Sequence, residues 1–310
     1  MPAGDQGLSV SARRSAVTDA DEQAVPALPV LGLPSQRDGV GDGLLAGGLS
    51  WRLPDDASCA GTARAHLRQA LADLQMPGEL IDDTAVAVSE LATNAWLHAL
   101  DAKPLSAAAR PGAAAPELWV YRRGAPPEAE LLCGVFDARR DAWPQAWPDS
   151  SALPAGNSRL ADPQLDAILS GNGGNGRGLT IVAALSRAVG WHWTRSRCGA
   201  HLPGKVVWFT VRIPDSSTAQ PPPMRLTPAQ AARTLTALLT ARGIRETGHA
   251  HDGTQSAVWI TASLTVRCRD GAFHWKSRGG LERRAYSDLA DTVESVIRLH
   301  EEMVPWGATP

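Results

Sequence analysis

Apolar residues recur three and four apart through Ala60, Ala63, Leu67, Ala70, Leu71 and Leu74, which predicts a helix with one buried face behind a capping candidate at Asp56 or Ser58. Pro77-Gly78 breaks it. A second helix is predicted from about Glu79 to Ala99, with Ile81, Ala85, Val88, Ala92, Ala95 and Ala99 on its apolar face. Ahead of both, Leu49 to Leu53 reads as a short strand ended by Pro54. Residues 101–116 are Ala/Pro-rich and read as an inserted loop, and the runs Glu117–Tyr121 and Leu131–Phe136 read as strands, the second closing on Asp137. A long polar segment then reaches the run Gly-Asn-Gly-Gly-Asn-Gly-Arg-Gly at 171–178, which opens onto an apolar helix, Leu179–Val189. Two more strands, Trp191–Arg195 and Lys205–Ile213, complete this region.

Around it the pattern changes. Residues 1–45 mix Gly, Pro, Ser, Asp and Arg with no sustained period and are expected to be mostly disordered. Ala219-Gln220-Pro221-Pro222-Pro223 is a linker by composition, within 216–226. Beyond it, 227–305 reads as a small α+β module: a helix from Thr227 to Arg242, strands near Ala257–Thr261, Leu264–Arg269 and Ala272–Lys276, and a helix around Ser287–Glu302. The first domain therefore occupies 46–215 of the 310 residues.

Composition adds mainly exclusions. The formal net charge of −2 makes no global electrostatic case for nucleic acid or an anionic membrane. Within 224–303, eleven Lys and Arg stand against nine Asp and Glu, which argues against a basic DNA-binding face. Cys59, Cys133, Cys198 and Cys268 form no CxxC pair and are expected to be reduced thiols in a cytoplasmic protein. No stretch approaches the ~18 apolar residues of a membrane span. The eleven Trp, against two Tyr and three Phe, fit a coding bias as well as any special chemistry.

Three segments carry candidate chemistry. Glu90, Asn94 and His98 lie four apart within Ser89-Glu90-Leu91-Ala92-Thr93-Asn94-Ala95-Trp96-Leu97-His98-Ala99, on one side of the helix and away from its Ala85/Val88/Ala92 face. A carboxylate there could take a proton from a hydroxyl, and an amide oxygen one turn on could ligate a hard cation such as magnesium. A helix whose polar side simply carries Glu and Asn is the plainer alternative. Asp137 at a strand end suits a ligand amine or a turn cap. The glycine run entering a helix suits close approach of a phosphate to free N–H groups, or a flexible loop. It matches neither the Walker pattern nor GxGxxG directly after a strand.

Taken in order, these segments become specific. Ser-Glu-Leu-Ala-Thr-Asn-Ala-x-x-His-Ala (89–99) resembles the asparagine box of the GHKL (Bergerat-fold, histidine-kinase-like) ATPases, in the form found in bacterial anti-sigma-factor serine kinases and their actinobacterial relatives. Gly176-Arg177-Gly178-Leu179 followed by Ile181-Val182 resembles their second glycine box. Gly190-Trp191, Gly204-Lys205-Val206-Val207-Trp208 and the opening Trp51-Arg52-Leu53-Pro54 are also similar, so the likeness covers about residues 49–213. It departs at the first glycine box, usually Asp-x-Gly-x-Gly but here Asp137-Ala138-Arg139-Arg140-Asp141, with Pro144 in the place of a proline that relatives keep.

The resemblance implies a two-layer α/β sandwich, a mixed sheet covered by helices on one face, with the small α+β domain appended. It implies ATP and magnesium as ligands, Glu90 as general base, Asn94 as magnesium ligand, and Asp137 on the adenine amino group. Residues 171–179, with Gly174, Gly176, Arg177, Gly178 and Leu179, would form the lid and phosphate loop. His98 would pack rather than catalyse. It further implies a serine/threonine kinase that phosphorylates a protein antagonist in a partner-switching pathway, with a sigma factor or anti-sigma antagonist as partner; many relatives are dimers. A nucleotide-gated protein-binding module with little turnover is the alternative. A two-component histidine kinase fits less well: no separate dimerisation helix bears a phospho-acceptor, and His66 sits in the first helix, where it reads as a surface residue. In the C-terminal module, Trp259, Phe273 and Trp275 read as strand core, and His249 and His251 as loop residues without Cys partners to make a metal site. By elimination the module is expected to bind a partner or regulate.

Overall fold

A computed structural model describes residues 48–100, 115–124, 127–138, 177–198, 201–214, 226–245 and 247–303, with the backbone alone at 98–100 and at Arg177. The extension 1–45, the stretch 101–114 and the linker up to 225 lie outside the described residues.

The first domain runs β1 (Leu49–Arg52), α1 (Cys59–Asp73), α2 (Gly78–Leu100), β2 (Glu117–Arg123), β3 (Glu130–Asp137), α3 (Arg177–Ala184), β4 (Ala188–Arg195) and β5 (Pro203–Arg212). Its strands form one sheet in the order β1-β2-β3-β5-β4. The sheet, expected to be mixed, is antiparallel at every described pairing. The connections explain this. Two helices between β1 and β2 return the chain reversed, and hairpins join β2 to β3 and β4 to β5. β4 does run parallel to β3, but β5 lies between them.

The predicted helices form for the predicted reason. Cys59, Ala63, Leu67, Ala70 and Leu71 of α1 are buried, and meet Val88, Leu91, Ala92 and Ala95 of α2 over Leu118, Val120, Leu131, Cys133, Val135, Phe209 and Val211 of the sheet. Ser58 takes the cap position but caps no helix N–H; Asp56 instead accepts from the Ser58 backbone at 2.7 Å. The helix expected over 179–189 ends at Ala184, and Ala188-Val189 belong to β4. An apolar run does not itself distinguish helix from strand. Here Val189 pairs with Phe209 on β5, and Gly190 permits it, because a Cβ there would stand 2.5 Å from the Trp208 ring.

The C-terminal module contains α4 (Pro228–Ala241), β6 (Gly248–His251), β7 (Ser256–Trp259), β8 (Thr265–Arg269), β9 (Ala272–Ser277), β10 (Gly280–Ala285), a 3-10 turn (Tyr286–Asp288) and α5 (Leu289–Met303). Thr227 caps α4 in a reciprocal capping box with Gln230. The strands form an antiparallel meander in the order β10-β9-β8-β7-β6. Its outermost strands, β6 and β10, escaped the sequence pattern because they bury almost nothing.

Helices were expected over one face of the first sheet, yet the reverse face is also covered. Its residues Tyr121 and Leu132 pack on Ala290 of α5, so α5 is buried on two sides and carries Glu294 into the interface at 2% exposure. That carboxylate accepts from Arg242 at 3.1 Å, Arg197 at 3.2 Å, His192 Nε2 at 3.2 Å, and the Thr194 hydroxyl. His192 Nδ1 accepts from the Trp208 indole at 3.1 Å, which leaves its proton on Nε2 to donate to Glu294. The Arg197 and Arg242 guanidinium groups both lie over the Trp119 ring, at 4.7 and 4.9 Å.

Burial by itself raises the Glu294 carboxyl, but Arg242, the His192 hydrogen bond and Arg197 outweigh it and hold the group well below its ordinary 4.5. A carboxyl depressed in this way contributes stability that is present above pH 4.5 and is lost as pH falls through the lower folded value. Glu294→Gln removes the carboxylate that two buried guanidinium groups share and is expected to cost about 3–5 kcal/mol at pH 7. Urea unfolding at pH 7 and below pH 4 measures it. The gap between wild type and variant should narrow in acid, and a loss under about 1 kcal/mol at pH 7 would contradict the role given to Glu294.

Candidate functional site

Strand alternation sorts the residues of the first sheet. On β3, Leu131, Cys133, Val135 and Asp137 share the helix-covered face. On β5, Lys205 takes the position opposite Asp137 and shares that face with Val207, Phe209 and Val211. The α1–α2 pair packs over this face. The α2 helix turns Val88, Ala92 and Ala95 into the core, which leaves Glu90 and Asn94, one turn apart, half-buried on its flank. Neither side chain has a hydrogen bond or ion pair among the described residues.

The first turn of α3 meets Glu90. A Cβ added at Gly178 would lie 2.6 Å from Glu90 Oε2 and 3.4 Å from Glu90 Cβ, so the absence of a side chain at 178 is what lets the carboxylate reach the helix start. Leu179 and Ala183 pack against the main core and Val182 lies within it, fixing α3 in place. The positive end of the helix dipole thus sits beside a carboxylate that has no hydrogen bond or ion pair among the described residues. The two sequence segments that carried most of the family likeness, about 90 residues apart, come into contact here.

Asp137 is where the structure adds most. Its side chain is 6% exposed and its Oδ2 accepts from Lys205 Nζ at 2.8 Å, with the lysine side chain 4% exposed. A ligand amine arriving at this carboxylate shares it with the ammonium or displaces it. Sequence reasoning passed over Lys205, although the signal was present: it is the charged member of an inward row otherwise filled by Val207, Phe209 and Val211. Lining the same face, Trp191 and Trp193 of β4 meet edge to face at 5.2 Å.

The remaining expectations divide. Gly174, Gly176 and the altered first glycine box at 139–141, with Pro144, lie outside the described residues, as do the side chains of His98 and Arg177; Arg177 opens α3. His66, expected at the surface, is half-buried and stacks on Trp51 at 5.4 Å. All four cysteines are unpaired. Burial pushes the Cys133 and Cys268 thiols up to about 12, which suits packing and not nucleophilic chemistry. Among the described residues there is no cluster of three or more His, Cys, Asp or Glu suited to a metal ion, and no helix is long and apolar enough to cross a membrane.

No protein-family model matches the chain, and no curated protein matches it.

The contact between Glu90 and Gly178 has a thermodynamic signature. Alanine outranks glycine inside a helix by about 0.8–1 kcal/mol. Gly178→Ala is therefore expected to stabilise a Glu90→Ala background by about that amount, and to be neutral or destabilising in wild type, where it displaces the carboxylate. A double-mutant cycle by thermal unfolding should give a coupling of at least about 0.5 kcal/mol. Additive changes would mean that the two positions do not meet.

Proposed function

We propose that the chain binds ATP with magnesium in the corner formed by α2, the start of α3 and the ends of β3 and β5, and that it is a regulatory serine/threonine kinase of the anti-sigma type. The observation that carries the reading is the contact of Glu90 with Gly178. It joins a candidate base to the helix start that a phosphate would use, as a GHKL site requires. In this reading Asn94 would hold magnesium through its amide oxygen, and the ion when bound would supply charge neutralisation at the phosphate. Asn94 is half-buried and has no described partner, so its amide is available for that role. The Glu90 carboxylate takes the proton of a seryl or threonyl hydroxyl while that oxygen bonds to the γ-phosphorus and the bond to ADP breaks. The acceptor is a protein antagonist; a sigma factor is the further partner that the family likeness suggests.

A second reading is favoured by one observation, the Lys205 ammonium on Asp137. A carboxylate already neutralised within the protein is a weaker adenine acceptor, which suits a module that binds nucleotide to switch a protein surface and turns little of it over. Titration calorimetry of the full chain with ATP and magnesium tests what the two readings share. Saturable binding is expected, weakened tenfold or more, about 1.4 kcal/mol, in Asn94→Ala and in Asp137→Asn. The absence of binding by folded protein would overturn both readings. Glu90→Ala separates them: a kinase loses phosphate transfer to its antagonist while keeping ATP affinity, whereas a switch module shows no transfer to lose.

A further inference from the structure

The near balance of charge in the C-terminal module conceals a separation in space. Four of its acids, Asp288, Asp291, Glu294 and Glu301, are buried, whereas of the module's own described bases only Arg242 is. The acids face the interior and the first domain. Arg267, Lys276 and Arg283 are left exposed on the outside of the second sheet, whose inner face is filled by Val266, Cys268, Phe273 and Trp275 packed on α4 and α5.

Alternation places Arg267, His274 and Arg283 together on the outer face. Register makes His274 the cross-strand neighbour of both arginines. Arg267, His274 and Arg283 thus lie in a row about 10 Å long at the usual strand spacing, with an arginine at each end. No described acid forms an ion pair with either arginine. Asp270 sits at the turn against its neighbour Arg269 at 4.0 Å, and Glu282 hydrogen-bonds Ser277. Arg267, Arg283 and Lys276 are exposed and have no hydrogen bond or ion pair among the described residues. The His274 Nε2 atom is shielded from solvent without a partner.

Beside this row lies Trp259, 45% exposed. The sequence pattern suggested a core position, but its neighbours Val258 and Ile260 fill the core instead. Its indole lies against β6, where a Cβ on Gly248 would come within 3.3 Å of the ring. An outward aromatic ring beside uncompensated cations on an open sheet is the combination that single-stranded nucleic acid uses, phosphates on the cations and a base on the ring. An acidic peptide would account for the cations and leave the tryptophan without a role.

We propose that the outer face of the C-terminal sheet binds a single-stranded polynucleotide through Arg267, His274, Lys276, Arg283 and Trp259. This inference does not depend on the ATP site.

The test is fluorescence anisotropy of labelled single-stranded RNA and DNA 12-mers of mixed sequence with the full chain at low and physiological salt. Binding of either strand is expected, weakening as salt rises. Arg267→Glu and Arg283→Glu should each reduce affinity tenfold or more. Trp259→Ala should reduce it between about 5-fold and 100-fold, from the loss of one stacked base. Arg298→Glu, on α5, and Asn94→Ala should leave binding unchanged; a loss in Asn94→Ala would move the oligonucleotide to the other domain and overturn the proposal. So would no binding at low salt, or binding that is indifferent to Trp259→Ala and displaced equally by poly-glutamate. The last result would assign the face to an acidic protein segment.

Discussion

The Glu294 carboxylate, buried among Arg197, Arg242, His192 and Thr194, is the interaction on which the arrangement of this protein depends. A five-stranded sheet with apolar residues on both faces must cover both. The α1–α2 pair and α3 cover one. The other is closed by α5, a helix that belongs to the core of the second domain as well. Apolar packing at that closure is modest, with Ala290 against Tyr121 and Leu132. Position and orientation are fixed by charge, since two guanidinium groups stacked on Trp119 find their counter-charge in a single residue of α5. Buried ion pairs contribute little net stability when intact and are costly to break, so this one specifies a docking more than it strengthens it.

That docking gives the two sides of the first sheet different work. The reverse face carries Tyr121 and Leu132 against Ala290 of the second domain. The helix-covered face carries the buried pair Asp137 and Lys205 in a row that is otherwise apolar, and the α2 helix carries Glu90 and Asn94 half-buried on its flank. Glu90 and Asn94 have no hydrogen bond or ion pair among the described residues. On the outer face of the second sheet, Arg267 and Arg283 flank His274 without an ion pair among the described residues. Both places break a local rule of good packing or charge pairing, and such violations concentrate where ligands bind.

Much of this was legible in the sequence. The 3.6-residue period gave α1 and α2 their faces because each buries one stripe, and the glycine and proline punctuation placed most of the strands. Two kinds of feature were not legible. Ala188-Val189 were read as helix because an apolar pair carries no period of its own; only pairing with β5 makes them strand. Glu294, Arg242 and Arg197 look in sequence like three unremarkable charged residues, and their burial depends on a contact between domains across about 100 residues of chain. The site was half legible. Glu90, Asn94, Asp137 and Gly178 could be nominated from motif and position, whereas Lys205 required the register of β3 on β5. Charge counting also misled in the C-terminal module, because a sum over residues does not know which of them are buried.

The central claim is that the corner between α2 and α3 is where ATP and magnesium bind. Hydrogen–deuterium exchange of the full chain with and without the nucleotide and metal reads it most directly, because it reports on the backbone of both helices at once. The account predicts slower exchange over residues 88–97 and 177–184, with the outer sheet of the C-terminal domain unchanged. Nucleotide that saturates the protein while leaving both helices unprotected would contradict it.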